Sequence, residues 1–343
     1  MMDDFSVSPF RRIITLAFTI ACCCVLSTKT LAGELGKAAL SEKSIEVLGG
    51  RLTVRMPQGA KKEARLFDIL SAPESEEHET RIAYDAGQER LVLIVHEDFA
   101  FAGDDFEKDV REWVAEWRGK YRIEPIQLLT KGLKVISVIP LNAPDHSRSD
   151  DATFVEGTCV RSGDQTIQSL DVYVNAAAEK DLEGCRTIGH RILLSVAPGK
   201  KRLRLAAGER RLAFSNDLEI SIMVPRNTAV TKQVGPDFLV QRLIVLGRLG
   251  ADSGRIGIYL GVHPDFEAGA IRGDGTIFGK RVEWHSLPHG EGLQTLCKPP
   301  IPVDLPLMAH VWVQAPNDAQ LSVMKQAAES MKLVKSQEPR PKS

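Results

Sequence analysis

The sequence predicts an α+β fold of two tandem domains, each a mostly antiparallel sheet packed with helices. The first observation behind this prediction is a stretch that occurs twice, at residues 170–194 and 308–333. Each copy begins with an alternating strand and continues with apolar residues three and four positions apart, and a shift of 139 lays Val172 on Val311. This pattern is typical of a strand followed by a helix that packs back on its own sheet.

Paired hairpins are the second observation. Apolar residues alternate on both sides of Gly49-Gly50, which predicts a hairpin over residues 45–56. A second hairpin is predicted over residues 212–224, and a shift of 168 lays Pro57 on Pro225. The two hairpins open the two copies in the same way.

The third observation is a repeated Val-His-x-Asp-Phe motif at residues 95–99 and 262–266. A length of 343 residues fits two domains of roughly 150 residues each. The predicted boundaries are therefore residues 33–199 and 200–336. Residues 197–211, between the copies, are rich in Lys and Arg and are predicted as a solvated linker, with a contact to anionic lipid headgroups as the alternative.

The two copies differ in one helix. Asp104 and Glu107 form a predicted capping box at its start. The apolar residues that follow fall on one face: Phe106, Val110, Trp113, Val114 and Trp117. The second copy has a Gly-rich stretch at residues 269–279 in the same place, so the domains are predicted to be divergent relatives.

The N-terminus predicts export. Arg11 and Arg12 precede an apolar run, and residues 1–32 have the pattern of a secretory signal peptide. The alternative is a lipoprotein, with a lipid anchor at Cys22. The mature chain is expected to be periplasmic or secreted, or membrane-anchored in the alternative case. Residues 337–343 are predicted as a disordered tail.

The net charge limits the classes of partner, and the number of cysteines limits the possible disulfides. A net charge of −1 argues against a general nucleic-acid binder. Removal of the signal peptide leaves Cys159, Cys185 and Cys297, an odd number that leaves at least one unpaired within the chain. They are predicted to be small buried hydrophobes, and a Cys159–Cys185 bridge stays open.

The repeated motif supplies the first candidate binding residues. His96 and Asp98, like His263 and Asp265, are two positions apart, so each pair could lie on one face of a strand end and share a ligand. The structural alternative is that the aspartates cap the next turn while Phe99 and Phe266 fill the core. No metal site is predicted from either pair, because a structural zinc site needs four ligands.

Histidines and tryptophans supply the other candidates. His285, His289 and His310 give the second domain a local excess of histidine, which is the alternative metal site. Pro288 disfavours a helix there, so the first two rings need not face each other. Trp312 is predicted on the sheet face opposite the repeated helix, a face left open because the second copy lacks the long helix.

No catalytic residues and no cofactor are predicted. The sequence contains no nucleophile elbow, phosphate-binding loop or His-Glu-x-x-His motif. The predicted function is therefore an exported, non-enzymatic binding or accessory protein whose partner is another protein or the cell envelope. An immunity or inhibitor protein that neutralises a toxin is one form of this. The alternative is a metal-dependent hydrolase that uses the His-rich second domain.

The order of hairpin, strands, long helix, strands, final strand and C-terminal helix resembles the PsbP/DcrB-like superfamily, most closely at residues 310–315 and 321–333. The resemblance implies an antiparallel sheet with helices on its faces. It also implies a non-enzymatic, extracytoplasmic accessory or binding protein, and it transfers no functional residues.

The repeated strand and helix give a specific packing expectation. Side chains on a strand return to the same face every two residues, and those on a helix about every 3.6 residues. One set of apolar side chains from the strand and the helix should therefore meet in a shared core. In the first copy the set is Val172, Val174, Leu182 and Cys185. In the second it is Val311, Val313, Leu321 and Met324.

Overall fold

The computed structural model describes residues 33–63, 77–118, 121–126, 132–140, 152–214, 218–234, 238–249, 254–288, 291–300 and 307–335. Residues 33–343 form one compact unit. The predicted signal peptide, the lipid-anchor alternative at Cys22 and the predicted C-terminal tail lie outside the described residues. Within these ranges, no helix is long and apolar enough to cross a membrane.

The predicted fold class is wrong. Strands account for 55% of the described residues and helices for 18%, so the protein is mostly antiparallel β rather than α+β with sheets packed by helices. Part of the reason is strands with polar faces. Residues Thr228–Val234, for example, carry strand-forming Thr and Val but too few apolar residues to stand out from loop sequence.

Two halves of the chain, residues 33–199 and 200–336, are described in turn. The strands of the first half are β1 (Leu40–Val47), β2 (Leu52–Pro57), β3 (Lys61–Glu63), β4 (Glu79–Ala86), β5 (Glu89–Phe101), β6 (Tyr121–Ile126), β7 (Lys134–Pro140), β8 (Ala152–Arg161), β9 (Thr166–Asn175) and β10 (Ala197–Pro198). Its helices are α1 (Phe106–Arg118) and α2 (Leu182–Leu194).

The second half repeats this order with one helix fewer among the described residues. Its strands are β11 (Gly208–Ala213), β12 (Leu218–Val224), β13 (Thr228–Val234), β14 (Phe238–Val245), β15 (Gly247–Arg248), β16 (Arg255–Gly261), β17 (Ile271–Ile277), β18 (Lys280–Ser286), β19 (Gly292–Cys297), β20 (Met308–Gln314) and β21 (Lys332–Lys335). Its helix is α3 (Asp318–Glu329).

The two halves have the same strand order. The main sheet of the first half runs β3-β4-β5-β9-β8-β7-β6, and that of the second runs β13-β14-β16-β20-β19-β18-β17. Each half adds a three-stranded sheet, β1-β2-β10 and β11-β12-β21, in which both predicted hairpins are present. The domain boundary near residue 200 itself stays a prediction.

The expected packing of the repeated strand and helix is confirmed. Val172 and Val174 of β9 are buried in one core with Cys185 of α2, and Leu182 packs at its margin. The equivalent residues of the second half form the other core, Val311, Val313 and Met324, with Leu321 at the margin.

Side-chain caps begin the helices. Asp181 accepts a hydrogen bond from the Gly184 N–H at 3.1 Å at the start of α2, and Asn317 accepts one from the Gln320 N–H at 3.0 Å at the start of α3. The predicted capping box of α1 is wrong. Asp105 caps this helix by accepting from the Lys108 N–H at 3.1 Å, and a lysine at that third position cannot complete the box.

The end of the second repeat also differs from the prediction. The helix stops at Glu329, where the Ser330 hydroxyl bonds the Ala327 carbonyl, and residues 332–335 form β21 instead. In β21, Leu333 pairs with Ile220 of β12. The short Lys-Leu-Val-Lys sequence is compatible with a strand as well as with a helix end, and pairing with β12 decides between them.

The cysteines behave as predicted. Cys159, Cys185 and Cys297 are all buried and none forms a disulfide. Cys159 belongs to the cluster under α1 and Cys185 to the core under α2, on opposite faces of the first main sheet. The bridge between these two, left open by the sequence, is therefore absent. Burial raises the pKa of the Cys185 thiol to about 12 and that of Cys297 to about 11, so both are inert.

The basic stretch is solvated in part, as predicted, because most of its Lys and Arg side chains are exposed, but Leu203 and Arg210 are buried. Leu203 is buried with Ala229 and Leu246 of the second half, and Phe99 and Phe101 of β5 pack against this cluster. The Leu alternation within the basic run provides these apolar contacts.

Main-chain and charged contacts also join the halves. Strand β15 pairs in parallel with the end of β5, placing Gly247 opposite Ala100 and Arg248 opposite Phe101. The Arg248 guanidinium lies 2.6 Å from a carboxylate oxygen of Asp109 on α1, which is buried. The junction is therefore built from side chains of both halves.

Two residues of α3, Met324 and Leu321, differ in how deeply they are buried. Met324 is 3% exposed whereas Leu321 is only half-buried, so removing the Met324 side chain leaves the larger cavity. We expect Met324→Ala to lower the free energy of unfolding by about 2–5 kcal/mol and Leu321→Ala by clearly less. Urea unfolding of both variants checks this. An equal or larger loss for Leu321→Ala would contradict the assigned core.

Candidate functional site

The outer face of the second main sheet carries the candidate site. Along β20, Val311 and Val313 point into the core under α3, so His310, Trp312 and Gln314 point to the opposite, outer face. Register then places Arg242, Gly257, Trp312 and Gln294 in one row across the sheet. This face is only partly open, because residues from both halves cover parts of it.

A glycine explains the position of Trp312. A Cβ atom added at Gly257 would lie 2.0 Å from two atoms of the indole ring, so the ring rests directly on the bare backbone of β16. Gly in a strand often marks such a close approach. The half-buried indole thereby extends toward Arg242, on the far side of Gly257.

Two arginines flank this indole. Arg242 pairs with Gly257, and Arg255 lies one step diagonally across on β16, opposite Ile244. Both side chains are exposed, and neither has a hydrogen-bond or ion-pair partner among the described residues. Partial desolvation by surrounding protein, together with the neighbouring Arg255 charge, lowers the pKa of Arg242. An anion between the two guanidinium groups would relieve their repulsion.

The first half supplies the opposite wall. Strand β5 loses its register with β9 between Glu97 and Phe101, and Phe99 has a positive φ of 50° there. A bulge of this kind re-aims side chains, and positive φ is uncommon for a bulky residue. Asp98 and Phe99 consequently face the second sheet.

We call the resulting cavity the arginine cleft. It has a volume of about 260 Å³, and its lining includes Asp98 and Phe99 from the first half and Arg242, Arg255, Gly257 and Trp312 from the second. Ile244, Ile256 and Gln314 complete the lining. The cleft thus combines two arginines and one carboxylate with an indole face and apolar side walls, and it carries an excess of positive charge. Two of the candidate binding residues from the sequence, Asp98 and Trp312, meet in it.

The other members of the repeated motif do not enter the cleft. His96 Nδ1 lies 3.3 Å from Glu79, whereas Asp98 accepts a hydrogen bond from the Ser169 hydroxyl at 3.3 Å. His263 and Asp265 are exposed on the loop after β16, where the His263 N–H donates to the Tyr259 hydroxyl at 3.1 Å. The two residues of each motif therefore have separate surroundings.

His285 and His310 are hydrogen-bonded to neutral partners, and His285 Nε2 also lies 3.9 Å from Glu283. His285 Nδ1 donates to the Gly269 carbonyl at 3.0 Å, and His310 Nε2 is 2.9 Å from the Gln294 amide oxygen. The ring of Phe266 packs edge-on against both, at 5.7 and 5.5 Å. Burial, partly offset by Asp265, lowers the pKa of His310 to about 4, so this ring is neutral at physiological pH.

These contacts bear on the alternative metal site. His289 lies outside the described residues. Among the residues that are described, no group of three histidine, cysteine or carboxylate side chains could hold a metal ion. The alternative of a metal-dependent hydrolase stays a prediction that no contact of His285 or His310 favours.

The predicted open face is partly covered. The loop between β16 and β17 crosses it, since Gln294 donates to the Glu267 carbonyl at 2.6 Å and the Ser286 N–H to the Ala270 carbonyl at 2.8 Å. In the first half, α1 covers the corresponding face by packing Phe106 and Val110 against Ile136 and Ile167. The side chain of Trp117 lies outside the described set.

The sequence does not single out the two arginines of the cleft. Each is one polar residue in an alternating strand, a pattern that normally indicates solvent exposure. Gly257, within the apolar sequence of β16, is the one available signal of a close contact. Comparison of the chain with family models, curated proteins and solved structures gave no match.

Proposed function

We propose that this chain is an exported, non-enzymatic binding protein that holds another protein by an acidic group inserted into the arginine cleft. The observation that carries the proposal is the pair of arginines beside Trp312, exposed in a cavity and without protein partners among the described residues. Arginine forms two parallel hydrogen bonds to a carboxylate, the strongest ordinary side-chain recognition of an anion.

The size and lining of the cleft favour a protein partner. A volume of about 260 Å³ lies below the range of roughly 300–1,000 Å³ typical of small-molecule sites, but it can hold one side chain. Trp and Arg are also the residues most enriched at the energetic centres of protein interfaces. An immunity or inhibitor protein that neutralises a toxin is one form of this function.

The lining also favours binding over chemistry. No serine, cysteine, histidine or lysine lines the cleft among the described residues, so a nucleophile and base pair of the usual kind is not formed there. Asp98 is engaged by Ser169, and the arginines serve as fixed positive charges.

A peptide titration tests the proposal. The probe is a fluorescein-labelled peptide with one glutamate and one leucine among serines, titrated against the mature full-length chain by anisotropy. We expect saturable binding, weakened at least about tenfold by Arg242→Gln or Arg255→Gln, because each removes a charge-assisted hydrogen bond. Gly257→Ala should weaken it similarly by displacing Trp312.

Arg211→Gln is the matched control, since Arg211 is exposed on β11 and does not line the cleft. Its affinity should equal that of the unmodified chain. Circular dichroism establishes that each variant is folded. The proposal is wrong if the probe does not bind, or if the Arg242 and Arg255 variants bind it as tightly as the control does.

A further inference from the structure

A second basic cavity lies on the same outer face. It has a volume of about 400 Å³, and its lining includes Phe266, Lys280, Arg281, His285 and Lys298. We call it the lysine cavity. Glu283 and Cys297 also line it, so three permanent cations face one carboxylate.

The charge of this cavity is incompletely balanced. Lys298 is exposed, and its ammonium group has no hydrogen-bond or ion-pair partner among the described residues. Lys280 donates to the Lys298 carbonyl at 3.2 Å, a contact that leaves its positive charge uncompensated. Arg281 lies 2.7 Å from Asp274. The two lysines are therefore the groups available to an anion.

A row of rings connects the two cavities. Trp312 of the arginine cleft packs on His310 with ring centroids 5.2 Å apart, and His310 packs on Phe266 at 5.5 Å. Phe266 lines the lysine cavity. Trp312 and Phe266 are both half-buried, so an apolar ridge separates two basic cavities.

We propose that both cavities bind one extended segment of the partner protein, with an acidic residue at each end and an apolar residue between. The inference rests on the proposed function, which it extends from one acidic group to a pattern. In an extended chain, residues four positions apart point to the same face and lie about 13 Å apart. That distance covers the two ring-to-ring steps from Trp312 to Phe266, and each of these two rings lines one of the cavities.

A helical segment would need a longer sequence spacing. Residues four positions apart on a helix are separated by only about 6 Å along its axis, and a helix covers the two ring-to-ring steps only at about seven positions. A spacing of four therefore selects the extended form. In the extended segment, the residue midway between the two acids also points toward the protein and would rest on Trp312 and Phe266. The recognised pattern is therefore acidic-x-apolar-x-acidic.

Labelled peptides test the inference. One carries glutamates on both sides of a central leucine, each separated from it by one serine, and the other replaces one glutamate with glutamine. We expect the doubly acidic peptide to bind the full-length chain about tenfold more tightly. The double variant Lys280→Gln/Lys298→Gln should abolish that difference and leave the singly acidic peptide unaffected. Arg272→Gln, an exposed change outside both cavities, is the control.

The outcomes separate the inference from the function on which it rests. If both peptides bind equally and only the Arg242 variant weakens them, the second cavity takes no part, and the single-site function stands. If neither peptide binds, both proposals fail. Binding of phosphatidylglycerol vesicles that requires Arg242 and Lys298, without peptide binding, would assign the surface to anionic lipid and overturn the peptide assignment.

Discussion

Replacing Arg51 with methionine should lower the free energy of unfolding by about 3–5 kcal/mol near pH 8, because it leaves a buried carboxylate without its counterion. Arg51 is 6% exposed, and its Nε lies 3.2 Å from the Glu97 carboxylate, whose side chain is fully buried. Gln168 also donates to both Glu97 oxygens, at 3.1 and 3.3 Å. An amide cannot replace the lost positive charge.

The loss should be much smaller near pH 5. Burial raises the pKa of Glu97 to about 7, with Arg51 opposing the rise, so this carboxyl is neutral at pH 5 and needs no counterion. Urea unfolding at the two pH values measures the difference. In a Glu97→Gln background, Arg51→Met should cost the same at both pH values, because the bond from Arg51 to the Glu77 carbonyl is lost at each of them. Equal losses at both pH values in the unmodified background would show that Arg51 stabilises without its charge interaction with Glu97.

Glu97 and His310 should give the protein two opposing pH dependences. Glu97 has a folded pKa of about 7 against 4.5 for the free group, so between these values the folded state holds one extra proton, and stability falls as pH rises. His310 has a folded pKa of about 4 against 6.5, so here the unfolded state holds the extra proton, and stability rises with pH.

Single variants should reveal how each group changes the free energy of unfolding with pH. Between pH 4.5 and 6.5 each group contributes about 1.4 kcal/mol per pH unit, with opposite signs. Relative to the unmodified chain, Glu97→Gln should gain stability as pH rises across this window, and His310→Gln should lose it, each by on the order of 3 kcal/mol. Urea unfolding at three pH values tests this. Differences of the same sign in both variants would refute at least one assigned pKa.

The periodicity of apolar residues was sufficient to predict part of the fold. The spacing of apolar residues correctly predicts which valines of β9 and β20 face the core. It also predicts the buried faces of α2 and α3. The fold class did not follow, because strands such as β13 contain few apolar residues and gain their stability from pairing within the sheet. The conformation of residues 332–335 could not be predicted for the same reason, since it depends on their pairing with β12.

The site depends still more on tertiary structure. Trp312 and Asp98 could be chosen from sequence as an aromatic on the outer face and a member of a repeated motif. Their meeting in one cleft depends on the bulge at Phe99 and on the parallel pairing of β15 with β5, neither of which has a local signature. The arginines become notable only when their lack of partners is known.

Helix α1 closes the outer face of the first sheet, and the second half has no described counterpart of it. Under the proposed function, the first half uses that face for its own stability, whereas the second half uses it to bind the partner. Phe99 and Asp98 of the first half complete the cleft of the second. We therefore expect the second half, expressed alone, to lack one wall of the proposed binding site.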